Sequence, residues 1–354
     1  MTDFLTRMGD GKPIRMTAAQ IKDDLQAGTK NMAEKAKVPE LTSNDLEFLF
    51  EIVTNPNRIV SVKPGSEVVM THDVGPLKIM ADQSNSGVSV PCSREQAMCI
   101  YERVISSDTA ELGHIDYSFK PVKPIISQEQ SVLQNVMAMT TLPIFYGAMP
   151  NLGLYYAPDG PFPEPIALIR GRKMDEAKQA MTSAGERFIE DLLYITTRLY
   201  AVGLDALNID TTAAAGDADF WATLHGTERI KKECPELCVE MGMSGEFILG
   251  FHGELKYDNV RLAGLWPHQQ VKLAEKAGAD IFGPVVNTKP SQSFAYNVAR
   301  ATTAVKECVK VSKIPVHVNM GMGVGGIPMF ETPPIDAVTR ANKSMIEIAG
   351  VDGV

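Results

Sequence analysis

The sequence predicts an α/β fold of the TIM (β/α)8 barrel type, incomplete at its C-terminal end and preceded by an N-terminal hairpin and helix elaboration. Three observations carry this expectation. From about residue 109 onward, short β-branched runs alternate with longer amphipathic stretches, the pattern of repeated βα units on a parallel sheet. Within the strand runs polar and apolar residues alternate, as they do where one strand face packs on helices and the other looks into a barrel. The chain of 354 residues, 44% hydrophobic and 22% charged, is long enough to bury a sizeable core as one large domain or two small ones.

The expected strands are, in order, TAELGHIDY (109–117), LPIFYGAM (142–149), ALNIDTT (206–212), LCVEMGM (237–243), DIFGPVV (280–286) and PVHVNMG (315–321), with a seventh beginning at VDGV (351–354). Between them lie helical stripes. Met181, Ala184, Phe188, Leu192, Ile195 and Leu199 recur every three or four residues before Gly203, and Phe294, Val298, Ala301, Val305 and Cys308 repeat the spacing. Ser127 with Gln130 reads as a capping box. Thr332, Pro333 and Pro334 suit a helix start ahead of Ile335, Val338, Ala341, Met345 and Ile348, and Gly350 ends that helix.

Residues 1–108 read as the N-terminal elaboration capping the barrel, and residues 109–354 as the barrel missing its last units. The elaboration holds an amphipathic segment and an expected hairpin of VVMTHD and LKIMAD, joined at Gly75 and Pro76. NLGLYYAPDGPFPEP (151–165) reads as a long βα loop, because the βα alternation resumes after it.

A net charge of −9 argues against attraction to nucleic acid or to an anionic membrane surface. The N-terminal MTDFLTRMGDGKP is charged where a secretory signal is apolar, and no run of about 18 apolar residues occurs, so a cytoplasmic protein is expected. Five scattered cysteines without a C-x-x-C pair suggest buried thiols.

The strand alternation nominates the chemistry. Val316 and Val318 alternate with His317 and Asn319, Leu207 and Ile209 with Asn208 and Asp210, and Val239 and Met241 flank Glu240, so the polar members should face inward. His114 and Asp116 share one face of their strand near its carboxyl end, and Tyr146 and Asn151 lie at the next such end. Each alone reads equally well as a hydrogen-bonded residue holding strands in register; as a set they suggest a pocket. A metal site drawn from these residues with His252 and His268 lacks any compact ligand motif, and no metal is expected. GMGVGG (321–326) imitates a dinucleotide fingerprint, but IPMFETPP separates its glycines from the next helix, so a flexible loop with close backbone approach is the expectation.

Four runs carry a resemblance: ELGHIDYSFKPVKP (111–124), FYGAMPNLGLYYAPDGPF (145–162), LAGLWPHQQ (262–270) and VNMGMGVGGIPMFETPPIDAVTRA (318–341). They closely resemble the dimethylamine:corrinoid methyltransferases of methylamine-using methanogens, and the likeness extends from RMGDGK to IEIAGVDGV. It implies transfer of a methyl group from dimethylamine to the cobalt of a corrinoid on a separate protein, with release of methylamine. Trimethylamine-specific enzymes of the same class have different motifs. The chain itself is expected to bind no cofactor, and to assemble as a homo-oligomer.

The resemblance also implies a pyrrolysine, encoded by an in-frame amber codon, immediately after Val354, with further βα units beyond it. The sequence then reads as a gene product cut at that codon. The alternative is a non-catalytic short product that binds partner subunits or the corrinoid protein. Pyrrolysine offers an electrophilic imine to which an amine can add once a nearby acid supplies a proton. Glu240 is the first expectation for that acid and Asp210 the second. His317, Asn319, His114, Asp116 and Tyr146 are expected to orient the amine or share protons.

Overall fold

The computed structural model describes residues 3–61, 75–80, 87–92, 145–330 and 333–354. The expected strand TAELGHIDY, with His114 and Asp116, and the Ser127–Gln130 capping box lie outside the described residues, as does Thr332.

The chain opens with an antiparallel pair, β1 (Asp3–Arg7) and β2 (Pro13–Thr17). Thr17 then starts α1 (Ala18–Ala36) with a capping box, its hydroxyl accepting from Gln20 N while the Gln20 side chain accepts from Thr17 N. Thr42 and Asp45 repeat the device at α2 (Ser43–Thr54). Next comes a hairpin, made with a different partner from the expected VVMTHD. The segment β3 (Gly75–Met80) pairs antiparallel with the residues that follow it, β4 (Gly87–Cys92), with Leu77 opposite Val90 and Ile79 opposite Val88. Gly75 and Pro76 lead the strand instead of forming its turn. Proline is tolerated at a strand's first residues, and the polar ADQSNS between β3 and β4 is the better turn-forming composition. VVMTHD lies outside the described residues.

The remainder is a sequential βα array. Its strands are β5 (Phe145–Ala148), β6 (Ala206–Thr212), β7 (Cys238–Met243) and β10 (Ile281–Gly283), each parallel to the next, in the order β5-β6-β7-β10. Two-residue strands β8 (Lys256–Tyr257) and β9 (Val260–Arg261) form a small hairpin in the connection after β7. Single parallel bridges continue the array, Phe282 with Val316 and His317 with Gly353. Strand segments expected at 315–321 and 351–354 are thus present as bridges, shorter than their patterns suggested. Among the described residues the sheet is not closed into a barrel; what they form is a mixed α/β fold on a four-stranded parallel sheet.

Helices separate these strands: α3 (Pro165–Arg170) and α4 (Met174–Tyr200) before β6, α5 (Asp217–Glu233) before β7, α6 (Pro267–Ala277) before β10 and α7 (Phe294–Val311) after it. The final helix α8 (Ile335–Ser344) runs into a π-helical turn, Met345–Ala349, and Gly350 stops it with a φ of 77°. Every member of the two nominated stripes on α4 and α7 is buried. Phe188 and Leu192 of α4 pack with Leu207 and Ile209 of β6, and deleting a buried ring such as Phe188 costs about 3–5 kcal/mol. The N-terminal helices share a core with α7 and α8: Ile21, Leu25 and Leu49 pack with Val298 and Ala341. A Cβ on Gly28 of α1 would lie 2.3 Å from the Tyr296 carbonyl oxygen, so glycine is what lets α1 approach α7 this closely.

Candidate active site

The parallel register decides which side chains share a face. Gly147, Asn208 and Glu240 are aligned across β5, β6 and β7, with Ile281 beside Glu240. Two residues further along, Gly242 is aligned with Gly283, and side chains two apart project to the same side. Leu207, Ile209, Val239, Met241, Val316 and Val318 are buried on the other, helix-packed side. The alternation read from the sequence at these strands is therefore realised.

Two nominated residues meet directly. His317 Nδ1 lies 2.6 Å from Glu240 Oε1, although one strand, β10, separates their positions in the sheet. The Glu240 side chain is 12% exposed and that of His317 44%, so the carboxylate is sheltered while the imidazole reaches outward. With Nδ1–H donating to the carboxylate, Nε2 becomes the basic nitrogen; with the imidazole protonated, the contact becomes an ion pair. A proton can thus be held on either partner at one fixed contact, the geometry required for acid–base work.

Glycine makes room for this pair. A Cβ on Gly353 would lie 3.1 Å from His317 Cδ2, and one on Gly242 would lie 2.7 Å from Asp210 Oδ1. Asp210 is accordingly on the same face, buried against Gly242, and accepts from the Thr211 backbone N–H at 2.7 Å. Thr211 has a φ of 53°, at the point where the pairing of β6 with β7 shifts register.

The other nominated residues that the structure describes have surroundings of their own. Asn319 is exposed, two residues beyond His317. Tyr146, aligned with Leu207, is fully buried with Phe188 and Leu192 in the helix-side core. Asn151 caps a 3-10 turn, Leu152–Tyr155, by accepting from Gly153 N. His114 and Asp116 lie outside the described residues. His252 sits in a loop whose backbone, through the N–H groups of His252 and Gly253, donates to Asp217 at the start of α5, and His268 lies in the first turn of α6. Among the described residues no group of three or more His, Cys, Asp or Glu side chains is placed to hold a metal ion. No described helix is long and apolar enough to cross a membrane.

Sequence reasoning passed over glycines 242, 283 and 353; Gly242 was signalled by its parity with Glu240 on the same strand, and the other two by nothing local. GMGVGG has its helix only at residue 335, and its close approach is made to protein, since a Cβ on Gly326 would lie 3.0 Å from Val298 N.

A separate cavity of about 650 Å³ opens beyond the ends of β5 and β6, lined largely by apolar groups including Met149, Tyr156, Ile166, Met181 and Phe251. Beside it Asp219 is completely buried at the start of α5. Burial pushes its carboxyl up to about 7, against the opposing effect of bonds from the backbone N–H groups of Ala215 and Ala213. Burial, and after it the charge of the same carboxyl, raises the Tyr156 phenol above its ordinary range.

Comparison with known families gives a match over nearly the whole chain. A family model described as Dimethylamine methyltransferase (Dimeth_PyL) matches residues 2–354.

Proposed function

The chain belongs to the dimethylamine methyltransferase family, and from that premise we propose that it moves one methyl group of dimethylamine to the cobalt of a corrinoid carried by a separate protein. The observation that supports a site for this chemistry is the Glu240–His317 contact on a glycine-lined sheet face. For dimethylammonium, the electron pair of the broken carbon–nitrogen bond returns to nitrogen and methylamine leaves neutral. The pair forming the cobalt–carbon bond comes from reduced cobalt, a nucleophile no side chain matches.

In this reading Glu240 and His317 supply and recover the proton on which amine activation depends, and Asp210 lies one layer further along the same face. Pyrrolysine, which the resemblance implies after Val354, would supply an electrophilic imine. The residues present suit such a group: a proton-donating pair stands beside Gly353, which adds no side chain next to His317. We further read the sequential parallel strands as the wall of a (β/α)8 barrel, to which the strand expected at 109–117 would add His114 and Asp116.

The test is methyl transfer by the full-length protein to a reduced corrinoid protein, followed by the absorbance of methyl-cobalt with each methylamine as donor. Dimethylamine is expected to give methyl-cobalt and one equivalent of methylamine. Equal or better turnover of trimethylamine or methylamine would overturn the substrate assignment, and no methylation from any donor would overturn the reaction.

A further inference from the structure

Arg300, in α7, is fully buried. A guanidinium keeps its charge, so burial requires partners for its donors on every side. Nη2 donates to both carboxylate oxygens of Glu246 at 2.9 and 2.8 Å, Nη1 donates to the Asn287 carbonyl at 3.0 Å, and Nε donates to Asn31 Oδ1 of α1 at 3.0 Å. Glu246 stands in the loop that follows β7, and Asn287 in the loop that follows β10. Asn287 links them again, its Oδ1 accepting from Glu246 N at 3.2 Å.

The third loop is joined to the second. Asn287 bridges Val324, Gly325 N donates to the Val286 carbonyl at 2.9 Å, and Thr288 N donates to the Gly323 carbonyl at 2.6 Å. The glycine-rich run 321–326 is therefore a fastened strap, and its positive φ values at Gly323, Gly325 and Gly326 are what that path requires. One guanidinium thus anchors the loops leaving two of three successive strand segments directly, and the third through the second. The first of these carries Glu240 and the third carries His317.

We infer that Arg300 is a positioning residue that holds Glu240 and His317 in contact across β10 by fixing the loops that leave their strands. This rests on the reading of that pair as the proton-handling centre. Lysine is only a partial substitute, because a point ammonium keeps the charge beside Glu246 but cannot reproduce a planar fork directed at Glu246, Asn287 and Asn31 together.

Nitrogen-15 NMR of the histidine rings in the full protein tests this without any turnover, the His317 resonance being assigned with His317→Asn. Arg300→Gln is expected to lose the strongly hydrogen-bonded Nδ1 signal of His317, and Arg300→Lys to recover it in part. Arg340→Gln is the control: it also removes a buried guanidinium, but one bonded to the carbonyls of Asn55 and Asn57, and it is expected to keep the signal. If Arg300→Gln does not fold, Asn287→Ala removes the Oδ1 link while leaving the ion pair, and is expected to weaken the same signal. An unchanged His317 signal in folded Arg300→Gln, or in Asn287→Ala, overturns the inference. Loss of the signal with undiminished methyl transfer would support the positioning role and overturn instead the assignment of the pair to the reaction.

Discussion

Glu240 and His317 touch across a strand to which neither belongs: Oε1 and Nδ1 are 2.6 Å apart with β10 lying between their backbones. On that face Gly283 of β10 is aligned with Gly242, and a Cβ there would lie 3.2 Å from the His317 carbonyl oxygen and from Gly242 Cα. Gly283→Ala is therefore expected to lower turnover more than it lowers thermal stability. A variant with wild-type kcat would show that the face tolerates a methyl group against the His317 backbone.

Asp210 and Gly242 form the neighbouring close contact. Gly242→Ala puts a Cβ 2.7 Å from Asp210 Oδ1, so either the carboxylate turns away or β6 and β7 part. A loss of about 1–3 kcal/mol in denaturant unfolding is expected, in line with overpacking of tight sites. Combined with Asp210→Ala, much of that loss should be relieved, because the clashing oxygens are gone. Strict additivity of the two substitutions would mean that they do not meet.

Tyr146 provides the opposite test. It lies in the helix-side core, so Tyr146→Phe should leave kcat for methyl transfer essentially unchanged while costing about 1 kcal/mol of stability through its buried hydroxyl. A large fall in kcat with stability intact would return Tyr146 to the site.

Asp219 gives the fold a pH dependence. Its carboxyl is raised by burial to about 7 in the folded chain, above the unfolded value near 4, so the folded state binds the proton more tightly. Its contribution is fully present below about pH 4 and is lost as pH rises through about 7. Thermal unfolding should thus lose stability between about pH 4 and pH 7, and Asp219→Asn should flatten that part of the profile. An equally steep profile in the variant would mean that another group titrates there.

The residues that could be read in advance were those whose neighbours along the chain reveal their face. Glu240 stands between Val239 and Met241, and His317 between Val316 and Val318, so period-two alternation separates their two sides before any fold is known. The same logic misplaced Tyr146. Its strand is four residues long and carries Phe145, Gly147 and Ala148 around it, which supplies no polar contrast, and only the register with Leu207 fixes its side. Helix α4 was legible because its stripe repeats over five turns. The Arg300–Glu246 pair was not, since its members are 54 residues apart and a buried arginine leaves no local pattern. The hairpin was legible as a strand but not as a pairing, because a Gly-Pro dipeptide signals a turn in isolation and its role as a strand start depends on the partner.

The most direct measurement is single-turnover methylation of the reduced corrinoid protein by full-length enzyme carrying Glu240→Gln, with folding checked by circular dichroism. Glutamine preserves the shape of the contact to His317 but cannot carry the proton. A fall of about 10²-fold or more in the single-turnover rate constant is expected, the scale of a lost acid–base group. A wild-type rate constant in that variant would contradict this and remove the Glu240–His317 pair from the chemistry.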